Sequence, residues 1–193
     1  DDTIALHAGD MFANPRPTGE SLPRSAAKLL TPTTPNKMVG LVDNYHALVA
    51  KLGHAVPAEP LYFLKANNSF LAGGEPIRTP QSYGGKVLFE GELGIVIGSR
   101  ARYVSEADAL QHVAGYCVVN DVSEREYQLE RGSQWDKGKG CDTFGPIGPW
   151  LVTKDEIENP QRLAMWLDVN GQRMQTGNTR TMIFGVEHIV WYC

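Results

Sequence analysis

One apolar stretch that carries two acidic residues limits how this chain can fold. Residues 86–98 read Lys-Val-Leu-Phe-Glu-Gly-Glu-Leu-Gly-Ile-Val-Ile-Gly, the aliphatic, β-branched composition of a β-strand closed by a glycine. Because strand side chains alternate between two faces, Glu90 and Glu92 are predicted on one face, roughly 6.6 Å apart. The opposite face is predicted to pack into a core and carries Phe89, Leu93, Ile95 and Ile97. Two carboxylates on a buried sheet repel each other unless a positive charge lies between them.

The whole chain has the composition of an ordinary globular protein with many turns. Its 193 residues suffice for one domain with a sizeable core, alone or with a small appendage. The 20 glycines and 12 prolines favour a β-rich fold over a helix bundle. A net charge of −4 gives no electrostatic footprint for nucleic acid or an anionic membrane, so neither is expected as a partner.

The cysteines and the chain ends bear on where the protein works. Cys117, Cys141 and Cys193 form no CxxC pair and no even framework, so the sequence predicts reduced thiols and a cytoplasmic protein. No stretch approaches the ~18 apolar residues of a membrane span, and no signal peptide is visible. The apolar, helix-like segment 186–193 stops without a cap, so we expect further residues after Cys193.

Local patterns divide the chain into an N-terminal arm or small subdomain, residues 1–36, and a main domain, residues 37–193. Strands are predicted at 38–42, 61–65, 113–119, 150–153, 163–169 and 172–174, with a two-residue hairpin turn at Asn170-Gly171. Short helices are predicted at 45–52, 105–111 and 123–130, the last from a capping box between Ser123 and Glu126. Residues 132–149 hold five glycines and two prolines and are predicted to be loop.

A third carboxylate changes how the paired glutamates are interpreted. Alone, Glu90-x-Glu92 is more typical of the solvated face of a strand, and Asp121 of an anion near a helix N-terminus. Asp121, however, follows a buried strand at a junction where side chains from neighbouring strands converge. The three carboxylates together are a hard oxygen set that suits Mg²⁺ or Mn²⁺, with Ca²⁺ as an alternative. No histidine or cysteine has zinc-ligand spacing relative to them.

The segment from Gln134 to Gly148 places lysines beside glycines. The P-loop pattern G-x-x-x-x-G-K-[ST] is absent, since Gly140 follows Gly138-Lys139, and nucleotide binding is not expected. A lysine between two glycines can instead bring its ammonium close to a ligand oxygen, or it can be a solvated loop residue.

Three motifs in this order resemble those of the fumarylacetoacetate hydrolase family. They are Glu90-x-Glu92, Asn120-Asp-Val-Ser-x-Arg-x-x-Gln128 and Gly138-Lys-Gly-x-Asp-Thr-Phe-x-Pro-x-Gly-Pro149. Phe63-Leu-Lys65 and the segment from Gly177 to Phe184 are similar to its secondary motifs, so the resemblance covers about residues 38–193. It implies a mainly β or α+β fold, a mixed β-roll of that family's C-terminal-domain type with short helices, here without its last strands.

The resemblance also implies a site. Glu90, Glu92 and Asp121 would hold a divalent metal, usually Mg²⁺ or Mn²⁺, in a catalytic domain formed by residues 37–193. Lys139 would lie in the active site, and the residues near substrate or metal would be Arg125, Gln128 and Thr143. Family members are commonly homodimers that act on small 2-oxo or β-dicarbonyl acids by C–C hydrolysis, decarboxylation or isomerisation.

The sequence departs from the family at the His–Glu pair with which many members activate water. Residues 40–53 are two residues longer than usual, so the alignment is ambiguous. One alignment puts His46 and Val49 in the two positions, and the other puts Leu48 and Lys51 there. The glutamate is absent in both, and His46 is either a catalytic base or a surface histidine at a helix edge.

The leading hypothesis is a metal-dependent enzyme that hydrolyses a C–C bond of such an acid through an enolate stabilised by the metal and Lys139. A decarboxylase or isomerase of 2-oxo or 2-hydroxy-dienoic acids on the same site is one alternative. A catalytically silent metal-binding relative is another, as is an unrelated β-rich protein whose carboxylates are surface charge.

Overall fold

The computed structural model describes residues 2–81 and 85–193, and short β-strands dominate it. In chain order the strands of this part are β1 (Thr3–Ala8), β2 (Arg16–Pro23), β3 (Met38–Val42), β4 (Leu61–Lys65), β5 (Phe70–Ala72), β6 (Val87–Leu88), β7 (Gly91–Ile97), β8 (Val113–Asn120), β9 (Ser123–Glu124), β10 (Gly145–Thr153), β11 (Ala164–Val169) and β12 (Gln172–Asn178). The α-helices are α1 (His46–Leu52), α2 (Trp135–Lys139) and α3 (Val186–Tyr192).

Short segments of other helix types connect these elements. One turn of π-helix spans Glu126–Glu130. The 3₁₀ turns are Arg24–Ala26, Asn67–Ser69, Glu106–His112, Lys154–Glu156, Pro160–Arg162 and Thr179–Thr181. The described part of the chain contains no helix that is long and apolar enough to cross a membrane.

A four-stranded sheet in the order β5-β10-β8-β7 is the centre of the fold. Its β10–β5 contact is parallel and the other two contacts are antiparallel. The remaining described strands form two-stranded pairs, β1 with β2, β3 with β4, β6 with β9, and β11 with β12. The prediction of a mainly β fold of mixed topology with short helices is therefore confirmed.

Hydrophobic side chains pack on both faces of the central sheet. Leu93 and Ile95 of β7 pack against one buried cluster, formed by Ala109, Val113, Tyr116, Val186 and Val190. Val96 packs against a second cluster on the other face, formed by Cys117, Val119 and Ile147. The prediction of a core face is confirmed for Leu93 and Ile95 but wrong for Phe89 and Ile97, whose exposed fractions are 38% and 47%.

The predicted single strand at 86–98 is in fact two strands with different partners. β6 pairs with β9, whereas β7 pairs with β8. Glu90 lies in the break, where its backbone N–H donates to Asn120 Oδ1 (3.2 Å) and its carbonyl accepts from the Asp121 N–H (2.8 Å). The change of partner therefore moves Glu90 out of the strand but brings it beside Asp121.

The prediction that residues 132–149 are all loop is wrong. The segment contains α2, and β10 begins within it at Gly145. Gly138 explains the close approach of α2 to the π-helical turn: a Cβ there would lie 2.5 Å from the Glu124 carbonyl oxygen and 2.7 Å from Gln128 Cβ. The glycines of this segment are typical of a loop in the sequence, but in the structure Gly138 permits α2 to pack closely on the π-helical turn.

Other local predictions are confirmed. β3 and β4 have the predicted bounds, and α1 ends at Gly53, which has the left-handed φ of 69° typical of a helix C-terminus. Asn170 and Gly171 have φ values of 51° and 77°, as a two-residue hairpin turn requires. The N-terminal residues form the mostly exposed hairpin β1–β2, after which the Arg24 guanidinium lies over the Trp150 ring.

Candidate active site

Carboxylates and buried lysines meet where β7, β8 and α2 come together. The Lys139 ammonium donates to Glu90 Oε2 (2.8 Å) and to Asp121 Oδ2 (2.5 Å). The Lys65 ammonium donates to the other Asp121 oxygen, Oδ1 (2.6 Å), and to the Val122 carbonyl (3.1 Å). The Lys65 and Lys139 side chains are only 1% and 4% exposed and that of Asp121 is 13% exposed, so their ion pairs with Asp121 are buried. The Glu90 side chain is 37% exposed, so the Lys139–Glu90 pair reaches solvent.

β4 delivers Lys65 to this cluster because its alternate residues point inward. Phe63 and Lys65 are buried, whereas Leu61, Tyr62 and Leu64 are exposed. Gly40 of β3 makes room for the Phe63 ring, since a Cβ there would lie 2.3 Å from a ring carbon. The Lys139 ammonium lies 4.9 Å from the centre of the same ring, so β4 supports both lysines. The sequence analysis gave Lys65 no role, although Phe63-Leu-Lys65 resembles a secondary motif of the family and Lys65 lies on the inward face of an apolar strand.

Glu92 is the most perturbed carboxylate of the cluster. Burial and, after it, the charges of Glu90 and Asp121 raise its pKa to about 8, while the charge of Lys139 opposes them. Within the described residues no side-chain hydrogen bond reaches the Glu92 carboxylate. The structure therefore brings the three predicted metal-ligand carboxylates close enough for their charges to interact. At Glu92 the nearby negative charge outweighs the positive charge of Lys139.

The predicted capping box at Ser123 is not formed. The Ser123 hydroxyl instead donates to Glu90 Oε2 (3.3 Å), which adds a hydroxyl to the cluster. The carboxylate of the fully buried Glu124 accepts from the backbone N–H groups of Glu126 and Tyr127. Glu124 accepts the backbone hydrogen bonds that were predicted for Ser123, because Ser123 and Glu124 form β9 and the helical turn begins only at Glu126.

Two of the predicted substrate-binding residues lie together. Arg125 Nη1 donates to Gln128 Oε1 (3.0 Å), and Gln128 is buried while Arg125 is half-buried. The Gln128 side chain packs beside Gly138, immediately before Lys139. The Arg125–Gln128 pair is thus next to the helix that carries Lys139.

Thr143 has a different environment. Its hydroxyl accepts from the Arg78 backbone N–H (2.8 Å), and its φ of 69° is left-handed. The Thr143 backbone N–H donates to the Asn68 carbonyl. In this structure the Thr143 side chain holds the loop that contains Arg78, and its predicted role at the substrate stays a prediction.

The predicted base, His46, is the first residue of α1, and its side chain is exposed. The described part of the chain offers that side chain no hydrogen-bond partner. The hydroxyl of the preceding residue, Tyr45, donates to Met165 Sδ (3.7 Å), and burial and then the charge of Glu92 raise the pKa of Tyr45. A histidine–carboxylate pair occurs at the two ends of α1, where His54 Nδ1 lies 2.7 Å from Asp43 Oδ2, a contact that the sequence pattern did not indicate.

The cluster fits a divalent cation in its chemistry but not in its present arrangement. All three carboxylates offer the oxygen ligands that Mg²⁺ and Mn²⁺ prefer. Between residues 2 and 81 and from 85 onward, however, no three acidic, histidine or cysteine side chains stand where together they could hold an ion. Glu90 and Asp121 are instead bridged by the ammonium of Lys139. Glu90, Glu92 and Asp121 could therefore hold a metal once Lys139 changes partners.

The fold and this cluster define a sheet-dominated domain with a carboxylate and lysine site at the end of its central sheet. Residues 37–193 match the family profile described as "Fumarylacetoacetate (FAA) hydrolase C-terminal", and residues 1–32 match one described as "Rv2993c-like, N-terminal". The chain belongs to the fumarylacetoacetate hydrolase family.

Solved structures share the fold. The crystal structure of 2-hydroxyhepta-2,4-diene-1,7-dioate isomerase from Mycobacterium marinum is 39% identical, with a TM-score of 0.87 over 98% of this chain and 69% of that one. Fumarylacetoacetate hydrolase from Exiguobacterium antarcticum is 33% identical, with a TM-score of 0.77 over 85% of this chain and 59% of that one. The predicted β-roll of the family's C-terminal-domain type is thereby confirmed.

Sequence relatives agree. A protein of Burkholderia cenocepacia that is provisionally named a hydrolase is 55% identical over 156 residues, which are 81% of this chain and 55% of that protein. The chain thus spans about half the length of the curated relatives that it matches.

Proposed function

We propose that this chain forms the metal-binding part of an enzyme that hydrolyses a C–C bond of a small 2-oxo or β-dicarbonyl acid. The observation that carries the proposal is the buried ammonium of Lys139 held by Glu90 and Asp121, beside a Glu92 carboxyl group with a strongly raised pKa. Perturbed titratable groups that converge in this way are characteristic of catalytic sites. Family membership supports the same conclusion.

Glu90, Glu92 and Asp121 are the residues that would hold the metal. Their oxygen set favours Mg²⁺ or Mn²⁺, with Ca²⁺ as an alternative, and the family generally uses divalent metals. The raised pKa of Glu92 indicates excess negative charge that a divalent cation would relieve. When bound, such an ion supplies Lewis-acid polarisation of substrate oxygens.

Lys139 is proposed to stabilise the negative charge that develops on the substrate. Cleavage of a C–C bond next to a carbonyl leaves an enolate, and an ammonium fixed in a site with little water stabilises that charge more strongly than it could in bulk solvent. The 4% exposure of the Lys139 side chain provides such an environment. The Phe63 ring beneath the ammonium helps to exclude water.

Arg125 is proposed to bind a carboxylate of the substrate. Its planar guanidinium can donate two parallel hydrogen bonds to a carboxylate. One of its nitrogens is already held by Gln128, which is buried and fixes the orientation of the group. The pair therefore supplies a preorganised anion contact next to the helix of Lys139.

Isomerisation or decarboxylation on the same site is the second candidate, and the environment of His46 favours it. Hydrolysis needs a base that activates water, yet the exposed His46 has no carboxylate partner in the described structure. Isomerisation requires no water activation, and one of the similar solved structures bears the name of an isomerase. The choice between the two depends on the products.

The test is a substrate screen with product identification. Oxaloacetate, acylpyruvates and 2-hydroxy-dienoic diacids are incubated with the protein and Mg²⁺ or Mn²⁺, and with the Glu92→Ala variant. We expect metal-dependent turnover that Glu92→Ala abolishes together with metal binding. The exposed Glu158 provides a matched control, Glu158→Ala, which is expected to behave like the wild type. Full activity of a metal-stripped Glu92→Ala protein would refute the proposal.

A further inference from the structure

Gln175 of β12 makes two hydrogen bonds to the backbone of one residue far away in the sequence, Gly91. Its Oε1 accepts from the Gly91 backbone N–H (2.9 Å), and its Nε2 donates to the Gly91 carbonyl (2.6 Å). A primary amide that both accepts and donates in this way reproduces what a neighbouring strand would offer. The contact joins the hairpin β11–β12 to the central sheet.

Gly91 needs such a partner because β7 is the edge strand of the central sheet. Gly91 lies opposite Asn120 of β8, while the neighbouring Glu90 carbonyl accepts from the Asp121 N–H. Hydrogen-bonded pairs alternate along an antiparallel ladder, so the Gly91 N–H and carbonyl point away from β8. Gln175 therefore satisfies backbone groups that the sheet itself leaves unpaired.

The position of Gly91 gives the contact a consequence for the site. Gly91 separates Glu90 from Glu92, so a change in its φ or ψ would change the directions in which the two carboxylates project. Glu90 is held by Lys139 and Ser123, whereas no side chain of the described residues holds the Glu92 carboxylate. The backbone at Gly91, held by Gln175 on one side and by the β7–β8 ladder on the other, therefore sets where Glu92 points.

We propose that Gln175 is a positioning residue: its amide holds the peptide N–H before and the carbonyl after the Gly91 Cα, and thereby sets the relative orientation of Glu90 and Glu92. The consequence for metal affinity rests on the proposed function, in which these two residues bind the ion. Groups that orient metal ligands commonly change metal affinity by roughly 10- to 100-fold when they are removed.

Two variants and one control test the proposal. Gln175→Met keeps the length of the side chain but removes both hydrogen bonds. Gln175→Glu keeps the acceptor for the Gly91 N–H and loses the donor to the Gly91 carbonyl. Gln172→Met is the matched control, because Gln172 lies on the same strand, is exposed, and has no side-chain hydrogen bond to any described residue.

The first measurement is hydrogen exchange of the Gly91 amide in the metal-free protein, followed by NMR. We expect exchange to accelerate about fivefold or more in Gln175→Met, the equivalent of one lost hydrogen bond, and to stay at the wild-type rate in Gln172→Met. The Gln175→Glu variant is expected to retain most of the protection. An unchanged Gly91 exchange rate in Gln175→Met would overturn the proposal.

The second measurement is the Mn²⁺ dissociation constant by calorimetry, with the melting temperature recorded for each variant. We expect Gln175→Met to bind Mn²⁺ at least about tenfold more weakly than the wild type at a similar melting temperature, with Gln175→Glu also weakened and Gln172→Met unchanged. Wild-type Mn²⁺ affinity in a folded Gln175→Met protein would contradict the inference. If Gln175→Met does not fold, the same comparison between Gln175→Glu and the wild type decides the question.

These results separate the inference from the proposed function. Absence of Mn²⁺ binding in the wild type would refute the proposed metal site, and the Gly91 exchange rate would still decide whether Gln175 fixes this peptide. Metal binding in the wild type together with unchanged affinity in Gln175→Met would refute the role of Gln175 alone.

Discussion

Asp121 has both carboxylate oxygens bound by buried ammonium groups, and the two lysines differ in what else they bind. Lys65 donates to Asp121 and to a backbone carbonyl, so it is tied to the end of β8. Burial lowers the pKa of Lys65, and the charge of Asp121 opposes that effect. Lys139 is shared by Asp121 and Glu90, two of the proposed metal ligands. We infer that Lys65 orients Asp121, while Lys139 competes with the metal for it.

Replacement of Lys65 tests its structural role as the partner of Asp121. We expect Lys65→Met to lower the free energy of unfolding by about 3 kcal/mol, because it leaves the Asp121 charge buried without one of its partners. Urea unfolding measures this change. Lys28→Met is the matched control: it removes an exposed ion pair with Glu75 and is expected to leave the urea midpoint nearly unchanged. Equal effects of the two substitutions would contradict the assigned role of Lys65.

Replacement of Lys139 tests the competition with the metal. In Lys139→Met an incoming ion no longer has to displace an ammonium from Glu90 and Asp121, so Mn²⁺ is expected to bind roughly tenfold more tightly, the worth of a charge-assisted hydrogen bond. Turnover is expected to be lost at the same time. Lys137→Met, two residues earlier on the exposed side of α2, is the control for calorimetry. Weaker Mn²⁺ binding in Lys139→Met would show that Lys139 does not occupy the ion's place.

Glu92 makes the stability of the metal-free protein depend on pH. Its pKa of about 8 lies above the ordinary value of a glutamate, so between about pH 5 and pH 8 the folded protein keeps a proton that the unfolded chain has released. Stability is therefore expected to fall as pH rises through this window. Urea midpoints measured across it give the slope, and Glu92→Gln is expected to flatten it. An identical slope in both proteins would contradict the raised pKa.

At the scale of helices and strands, the sequence correctly predicted those turns and helix ends that depend only on neighbouring residues. Gly53 ends α1 and Asn170-Gly171 turns the hairpin because each needs a left-handed backbone, which these residue types adopt readily. The break between β6 and β7 could not be predicted in this way, because it depends on which strands lie beside each half. The same limit applies to α2. Its glycines indicate a loop in the sequence, and their role in packing is evident only once the position of the π-helical turn is known.

Gly138 tests this packing directly. In Gly138→Ala the new Cβ would meet the Glu124 carbonyl and Gln128 at distances below 3 Å, so the backbone of α2 must shift. We expect a loss of about 1–3 kcal/mol of stability and reduced turnover, since Lys139 follows immediately. Gly177→Ala is the control, because nothing lies within 4 Å of the added Cβ. Chemical unfolding of both variants measures the difference, and equal stability would show that α2 tolerates the shift.

At the scale of the whole molecule, the site draws on segments that lie far apart in the sequence. Acidic and lysine motifs identified Glu90, Glu92, Asp121 and Lys139 as candidates, and the structure brings these side chains together. Lys65 and Gln175 could not be given a role from the sequence, because their contacts at separations of 56 and 84 residues exist only after folding. Sequence motifs therefore identify one part of the candidate site, and the other part can be identified only from tertiary contacts.

The most direct test of the proposed metal site is anomalous diffraction from crystals of the protein soaked in Mn²⁺. We predict one manganese peak bound by carboxylate oxygens of Glu90, Glu92 and Asp121. The Lys139 ammonium should no longer lie between Glu90 and Asp121, and Lys65 should still bind Asp121. The Asp121→Asn variant, soaked in the same way, is expected to show a weaker peak. No manganese at these three carboxylates, with Lys139 still bridging Glu90 and Asp121, would contradict the central claim.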